Sequence, residues 1–187
     1  MTVRPLSLDD APAVQALVAA VARERRYLGT TDGFTLDQAR AHIARVAGAG
    51  GVQFGAFDTS PTAAGAARLV GWVDVMPGPF EGLTHCGRLG MGVAAAARGR
   101  GIGAVLLARA LEEGFRTLER IELEVFASND RARTLYLRAG FVEEGRRRCA
   151  RKLDGTCDDI LMYGLLRDEW RPRPVSPRAA ARPSRRR

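Results

Sequence analysis

Lysine is nearly missing from this 187-residue chain: Lys152 is the only one among 29 basic residues. A Walker-type phosphate loop ends in Gly-Lys-Ser/Thr, and here no glycine precedes the lysine, so that class is excluded. Cysteine is sparse as well. Cys86, Cys149 and Cys157 are odd in number, and neither they nor the two histidines fall at metal-ligand spacing, so no metal is expected. Such a count suits free thiols in a reducing cytoplasm, although Cys149 and Cys157 flank an Asp154-Gly155 turn and can lie close together. Long apolar runs are absent too. Nothing approaches the ~20 residues of a membrane-spanning helix, and Asp9 and Asp10 interrupt any leader-like stretch, so a cytoplasmic protein without a membrane partner is expected.

The formal charge of +8 resembles a nucleic-acid signal until it is located. Residues 171–187 hold seven arginines and no acid, leaving 22 basic against 21 acidic residues elsewhere. The 46% hydrophobic content supports one sizeable core. These facts predict one domain over 1–167 and a disordered Arg/Pro-rich tail over 168–187. Nucleic acid is expected at most through that tail, whose simpler reading is a solvated end.

Periodicity predicts a strand at Thr2–Leu6, then a helix with Val14, Leu17, Val18 and Val21 on one stripe. A second helix follows over Leu36–Ala47. Val52–Asp58 and Arg68–Met76 read as a hairpin joined by a Thr/Pro/Ala/Gly loop, and Cys86–Val93 as a further strand. A helix is expected from Gly101 to about Leu118, a strand over 121–126 and a helix over Arg131–Ala139. Two closing strands are expected over Phe141–Arg151 and from about Asp158 to Leu166.

The densest chemistry lies between the strand ending at Val93 and the helix after it, where Arg98-Gly99-Arg100-Gly101-Ile102-Gly103 forms a glycine-rich turn. A helix start leaves backbone N–H groups unpaired and favours anions. Glycines remove the Cβ atoms that would hold a phosphate off the backbone, and Arg98 and Arg100 add planar donors. A dinucleotide fingerprint fails, because Gly99 and Gly101 require a third glycine at Ala104, and Gly101 and Gly103 require one at Leu106. The turn therefore reads as a pyrophosphate seat outside both common classes.

Downstream, Val125 and Asn129 are followed by Leu135-Tyr136 and Gly140-Phe141. With Arg98, Gly101 and Gly103 in the pattern R/Q-x-x-G-x-G/A, this order and spacing resembles the GCN5-related N-acetyltransferase (GNAT) superfamily over roughly residues 2–167. The resemblance implies an α/β (α+β) fold: a mixed, mostly antiparallel sheet of about seven strands, helices on both faces, splayed between the fourth and fifth strands. It implies acetyl-CoA as co-substrate, held by Met91, Gly92 and Val93 along the splayed strand, by Arg98, Gly99, Arg100, Gly101, Ile102, Gly103 and Ala104 at the turn, and by Asn129 and Tyr136. Gly90 and Gly92 fit a close backbone approach or a bulge.

In the same frame Tyr136 is the expected general acid, about two helical turns beyond Asn129 and able to donate to a departing thiolate. His85 and Glu81, just before the cofactor strand, are candidate bases. Glu122 and Glu124 share one face of a strand, and Glu124 is the candidate for the acceptor site. The acceptor is expected to be a small amino-acid-like amine, with a protein N-terminus of the ribosomal type as the alternative. A polyamine calls for more acid than Asp32 and Glu81, the only carboxylates in loops 27–35 and 77–85. A catalytically inactive CoA-binding module with a basic tail is the rival from another class, and monomer and homodimer both stay open.

Overall fold

Strands β1 (Thr2–Pro5), β2 (Val52–Asp58), β3 (Arg68–Pro77), β4 (Cys86–Val93), β5 (Arg120–Phe126), β6 (Val142–Leu153) and β7 (Thr156–Leu166) make one sheet. Their order is β1-β2-β3-β4-β5-β7-β6 in the computed structural model, which describes residues 1–59 and 67–172. Every neighbouring pair is antiparallel except β4 and β5, which run parallel. The expected architecture is thus the observed one.

Helices α1 (Ala11–Ala22) and α2 (Leu36–Gly48) cover one face, while α3 (Ile102–Gly114) covers the other, beside α4 (Asp130–Ala139). Alternation decides which residue faces which layer, with one reversal where β3 bulges at Val70 opposite Ala56 and Phe57. On β3, Val70, Val73 and Val75 join the α3 core with Leu106, Leu107 and Leu111, whereas Leu69 and Trp72 pack with Val14, Leu17 and Val18 of α1. Local chemistry fixes the helix starts. Thr35 Oγ1 accepts from Gln38 N at 3.2 Å while the Gln38 side chain accepts from Thr35 N at 2.9 Å, a capping box that opens α2. Ahead of α1, the buried Asp10 carboxylate accepts from Ser7 N and from both terminal nitrogens of Arg4, at 2.7–2.9 Å.

Several expected boundaries move. α3 stops at Gly114 rather than Leu118, because the chain tightens there: Thr117 N and Leu118 N both donate to the Gly114 carbonyl, and the turn buries Leu118. The packed unit runs past residue 167, since Trp170 sits 5.5 Å from the Phe115 ring, centroid to centroid. From residue 173 on, the expected disordered tail lies outside the described residues, as does the 60–66 stretch of the loop between β2 and β3. The closing strands are longer than expected, because Asp154 (φ 50°) and Gly155 (φ 77°) suffice to reverse the chain.

The cysteines also differ from the expectation of three reduced thiols. Between Arg147 and Arg151, β6 bulges away from β7, Cys149 adopts φ 48°, and its sulfur is bonded to that of Cys157 across the hairpin, with 4.9 Å between their Cα atoms. Cys86 alone is free. Among the described residues no helix is long and apolar enough to cross a membrane, and no group of His, Cys, Asp and Glu gathers to hold a metal ion.

Candidate active site

Strands β4 and β5 part early. Their paired residues are Cys86 with Arg120, Gly87 with Ile121 and Arg88 with Glu122, and beyond that point the strands diverge. The fork becomes a cleft of about 670 Å³. Leu89 to Val93 line one bank, Glu124, Val125 and Phe126 the other, and Tyr27, Leu28 and Gly29 from the α1–α2 connection border it. Ile102, Gly103 and Ala104 of α3, with Asn129, Leu135 and Tyr136, complete its inner wall.

At one end of the cleft lies the glycine turn. Gly99 and Gly101 both have φ 80°, a left-handed conformation open to glycine at little cost, and Gly101 caps α3. Among the described residues, the N–H groups of Gly99, Arg100, Gly101, Ile102 and Gly103 donate to no backbone carbonyl, whereas Ala104 N and Val105 N both reach the Gly101 carbonyl. Five adjacent donors at the positive end of a helix make an anion seat of main-chain atoms. A Cβ on Gly103 would lie 3.4 Å from Leu135 and 3.6 Å from Met91, so that residue belongs to the cleft wall.

Arg98 departs from the expected phosphate ligand. Its Nη1 and Nη2 hold both oxygens of Glu24 at 2.6 and 2.5 Å, its Nε donates to the Val93 carbonyl at 2.9 Å, and its guanidinium lies 4.6 Å from the Tyr27 ring centroid. The side chain is a brace between the turn and the end of α1. It also occupies the Val93 carbonyl, one of the main-chain groups expected to meet a ligand. Arg100 is half-exposed and reaches Asp58 only at 3.4 Å. The arginines at the rim here include Arg131 and Arg138 of α4, which share a helix face with Leu135 at spacing i, i+4, i+7. That spacing was available in the sequence and identifies them.

Gly92 owes its identity to a neighbour rather than to a bulge. A Cβ there would collide with the Trp72 indole, and β3 and β4 keep unbroken register from Gly71–Val93 to Pro77–Gly87. Asn129 accepts from Ala132 N at 3.2 Å and so caps α4 while lining the cleft.

Tyr136 lies on the α3 side of the sheet, only 6% exposed, edge-on to Phe141 at 5.8 Å and tilted against Tyr163 at 6.5 Å. Burial pushes its phenol pKa well above the usual value. Glu124 is on the opposite face, because Leu123 and Val125 take the α3 side. Its Oε1 receives Arg88 Nη2 at 3.0 Å and its Oε2 receives Arg147. The fork is therefore open from face to face, with a phenol on one side and a carboxylate on the other.

His85 and Glu81 are not brought there. Both are exposed, and His85 precedes the paired end of β4, ~20 Å of extended strand from Met91. The His85 carbonyl, which receives Glu119 N and Arg120 N, ties the paired ends of the two strands together. Arg88, Arg147, Glu24 and Tyr27 were missed by sequence reasoning. Arg88 is on β4, Arg147 on β6, and Glu24 and Tyr27 lie in the α1–α2 connection, three places that no local pattern joins.

Residues 49–141 match the sequence model of the acetyltransferase (GNAT) family. The fold is similar to a ribosomal-protein-alanine N-acetyltransferase from Brucella melitensis, with 25% identity, 89% of this chain and 99% of that chain covered, and a TM-score of 0.78. It is similar as well to a GNAT-family acetyltransferase from Streptococcus pneumoniae (23% identity, 88% and 98% covered, TM-score 0.79). A phosphinothricin acetyltransferase from Sinorhizobium meliloti, solved with acetyl-CoA, shares the fold at 14% identity, with 98% and 93% covered and a TM-score of 0.79.

Proposed function

The chain carries the acetyltransferase domain of the GNAT family, and from that premise we propose that it transfers an acetyl group from acetyl-CoA to the primary amine of a small amino-acid-like molecule. One observation carries this reading: the β4–β5 fork is continuous with the five N–H groups of Gly99–Gly103, which meet no carbonyl among the described residues. An anion seat of backbone donors suits a diphosphate, and a slot lined by Leu89, Met91, Val125 and Leu135 suits an extended, largely apolar arm. Bound there, the thioester supplies an activated acetyl carbon: the amine nitrogen bonds to it as the carbon–sulfur bond opens, and of the two protons the ammonium loses, one ends on sulfur and one in solution.

The chain's own groups divide the remaining tasks. Gly99 to Gly103 bind the phosphates through main-chain N–H, with Arg100 beside them and Arg98 bracing the turn. Met91 and Gly92 offer main-chain groups along the unpaired bank of β4, as an added strand would use them. Asn129 keeps its amide nitrogen for the ligand while its oxygen caps α4. Tyr136 donates a hydrogen bond toward the departing sulfur. Its raised pKa keeps the proton on oxygen through neutral pH, and it exceeds the roughly 8.5 of an ordinary thiol, so the phenol stabilises developing charge as a donor. Glu124, across the fork, receives the incoming ammonium.

Similarity to the Brucella melitensis enzyme supports a second reading, in which the acceptor amine is a protein N-terminus. Calorimetry with acetyl-CoA, followed by free-thiol release with amino acids, simple amines and an alanine-terminated peptide, tests both. Thiol release with amino acids is expected. Uptake of acetyl-CoA without release for any amine would replace the transferase with a CoA-binding module.

A further inference from the structure

Arginines gather at two places along the fork, one at the lining of the cleft and one around Glu124, and a diphosphate accounts for only the first. Arg98, Arg131 and Arg138 line the cleft, and Arg100 stands in the glycine turn itself. Arg88 and Arg147 lie elsewhere. Arg88 stands five residues up β4 from Val93, ~17 Å of extended strand away, at the crotch where β4 and β5 separate. Arg147 reaches the same place from β6. Both guanidiniums converge on Glu124, one on each oxygen, so two positive charges meet one negative. On the same face of β5, Glu122 is bonded to Arg120, which also holds Glu144; Asp159 of β7 is committed to the Cys149 N–H and to Arg146, and those two bonds hold its carboxyl below the usual range.

The side chains are not sealed in. Arg88 is 64% exposed, Arg147 48% and Glu124 33%. A guanidinium has five N–H donors in a planar fork, so each arginine retains donors after bonding Glu124. Two guanidiniums on the one Glu124 carboxylate disfavour a polyamine or a peptide N-terminus there, whose cation arrives with no anion beside it. A molecule with an ammonium and a carboxylate on one carbon meets all three residues: ammonium to Glu124, carboxylate to the arginines.

We propose that Arg88 and Arg147 form a carboxylate-reading subsite around Glu124, and that the acceptor is an α-amino acid recognised through its carboxylate. The assignment rests on the acetyltransferase reading above and supplies its selectivity. The arginines are specificity residues: they place the amine by holding the acid group next to it. In the free protein Glu124 keeps the two guanidiniums together, and the zwitterion exchanges into that arrangement without adding net charge.

The test uses the full chain saturated with CoA. Calorimetric titration with the L-α-amino acids, their carboxamides and the matching descarboxy amines is paired with thiol-release kinetics from acetyl-CoA. The expected result is at least tenfold tighter binding, and an equally lower KM, for one or more acids than for the corresponding amides. Arg88→Gln and Arg147→Gln are each expected to raise the acid's Kd and KM about tenfold and to narrow the acid-over-amide ratio by a similar factor. Arg147→Lys, which keeps the charge but loses the fork, is expected to fall between. Thermal melts and CoA affinity of the variants report folding separately. Amides or descarboxy amines binding as tightly as acids, or both glutamine variants weakening acid and amide alike, overturn the subsite. A protein that takes up no acetyl-CoA instead overturns the acetyltransferase reading, through a different measurement.

Discussion

The two ends of the cleft are built on different principles. At the glycine turn the chemistry is main-chain: five consecutive N–H groups, aimed by two left-handed glycines and a helix start, all within residues 99–103. At the crotch of the fork it is side-chain: Arg88 from β4, Glu124 from β5 and Arg147 from β6, brought together only by folding. Main-chain geometry is set by which residues lack a Cβ and is hard to alter without breaking the loop. Side-chain geometry changes one residue at a time and leaves the sheet intact. A scaffold of this kind retains one ligand while its second binding surface is free to vary.

Tyr136 lies between the two ends, and its removal should be felt most. Tyr136→Phe is expected to lower kcat about 10²-fold with little change in acetyl-CoA affinity, as read by free-thiol release and calorimetry. Because burial holds the phenol protonated, no loss of rate assignable to Tyr136 ionisation is expected up to about pH 10. An unchanged kcat removes the tyrosine from the chemistry.

Gly101→Val attacks the main-chain end directly. Valine at φ 80° is strained and places a branched Cβ beside the N–H groups of the turn, so acetyl-CoA Kd should rise by about tenfold or more. The acceptor preference of whatever activity survives should not move. A shift in that preference would mean the two ends are not independent.

Arg98 sharpens the comparison further, because its side chain touches the turn without lining up on it. If the guanidinium acts as a brace, Arg98→Gln and Glu24→Gln should weaken acetyl-CoA binding equally, and a double-mutant cycle on thermal stability should return about 1–2 kcal/mol of coupling. Direct phosphate contact predicts the reverse: Glu24→Gln, which frees the arginine, would then strengthen binding.

Asp10 is the remote control, and the smallest effect. Its bonds to Arg4 and to the Ser7 N–H hold its carboxyl below the ordinary value. A depressed folded-state pKa means the stabilisation is complete above the unfolded carboxylate pKa of ~3.9 and is lost as pH falls through the folded one. Asp10→Asn should therefore cost about 1 kcal/mol near neutral pH, allowing for the half-exposed arginine, and progressively less below about pH 4. Neither acetyl-CoA affinity nor acceptor preference should respond.

The same contrast explains how much was legible beforehand. The strand–turn–helix at 86–114 and the helix carrying Tyr136 follow from local spacing, because each depends on contiguous residues, whereas the seven-strand sheet with its split between the fourth and fifth strands is what the family resemblance implied. His85 and Glu81 were misread as near the chemistry. They precede the right strand, but they stand at its paired end rather than at its open one, and strand pairing is not written locally. The grip of Arg98 on Glu24 spans 74 positions, and that of Arg88 on Glu124 spans 36, so neither leaves a pattern in the sequence. The Cys149–Cys157 bond depends on a bulge of β6 that no periodicity announces.

Only two tryptophans occur in this chain, and their settings differ usefully. Trp72 backs the cleft wall at Gly92, whereas Trp170 leans on Phe115 at the far end of α3. The molecule thus contains its own fluorescent gauge: one indole sits a single backbone away from any arriving ligand, and the other stays distant enough to act as a reference. Emission from Trp72 makes filling of the fork visible with no label attached.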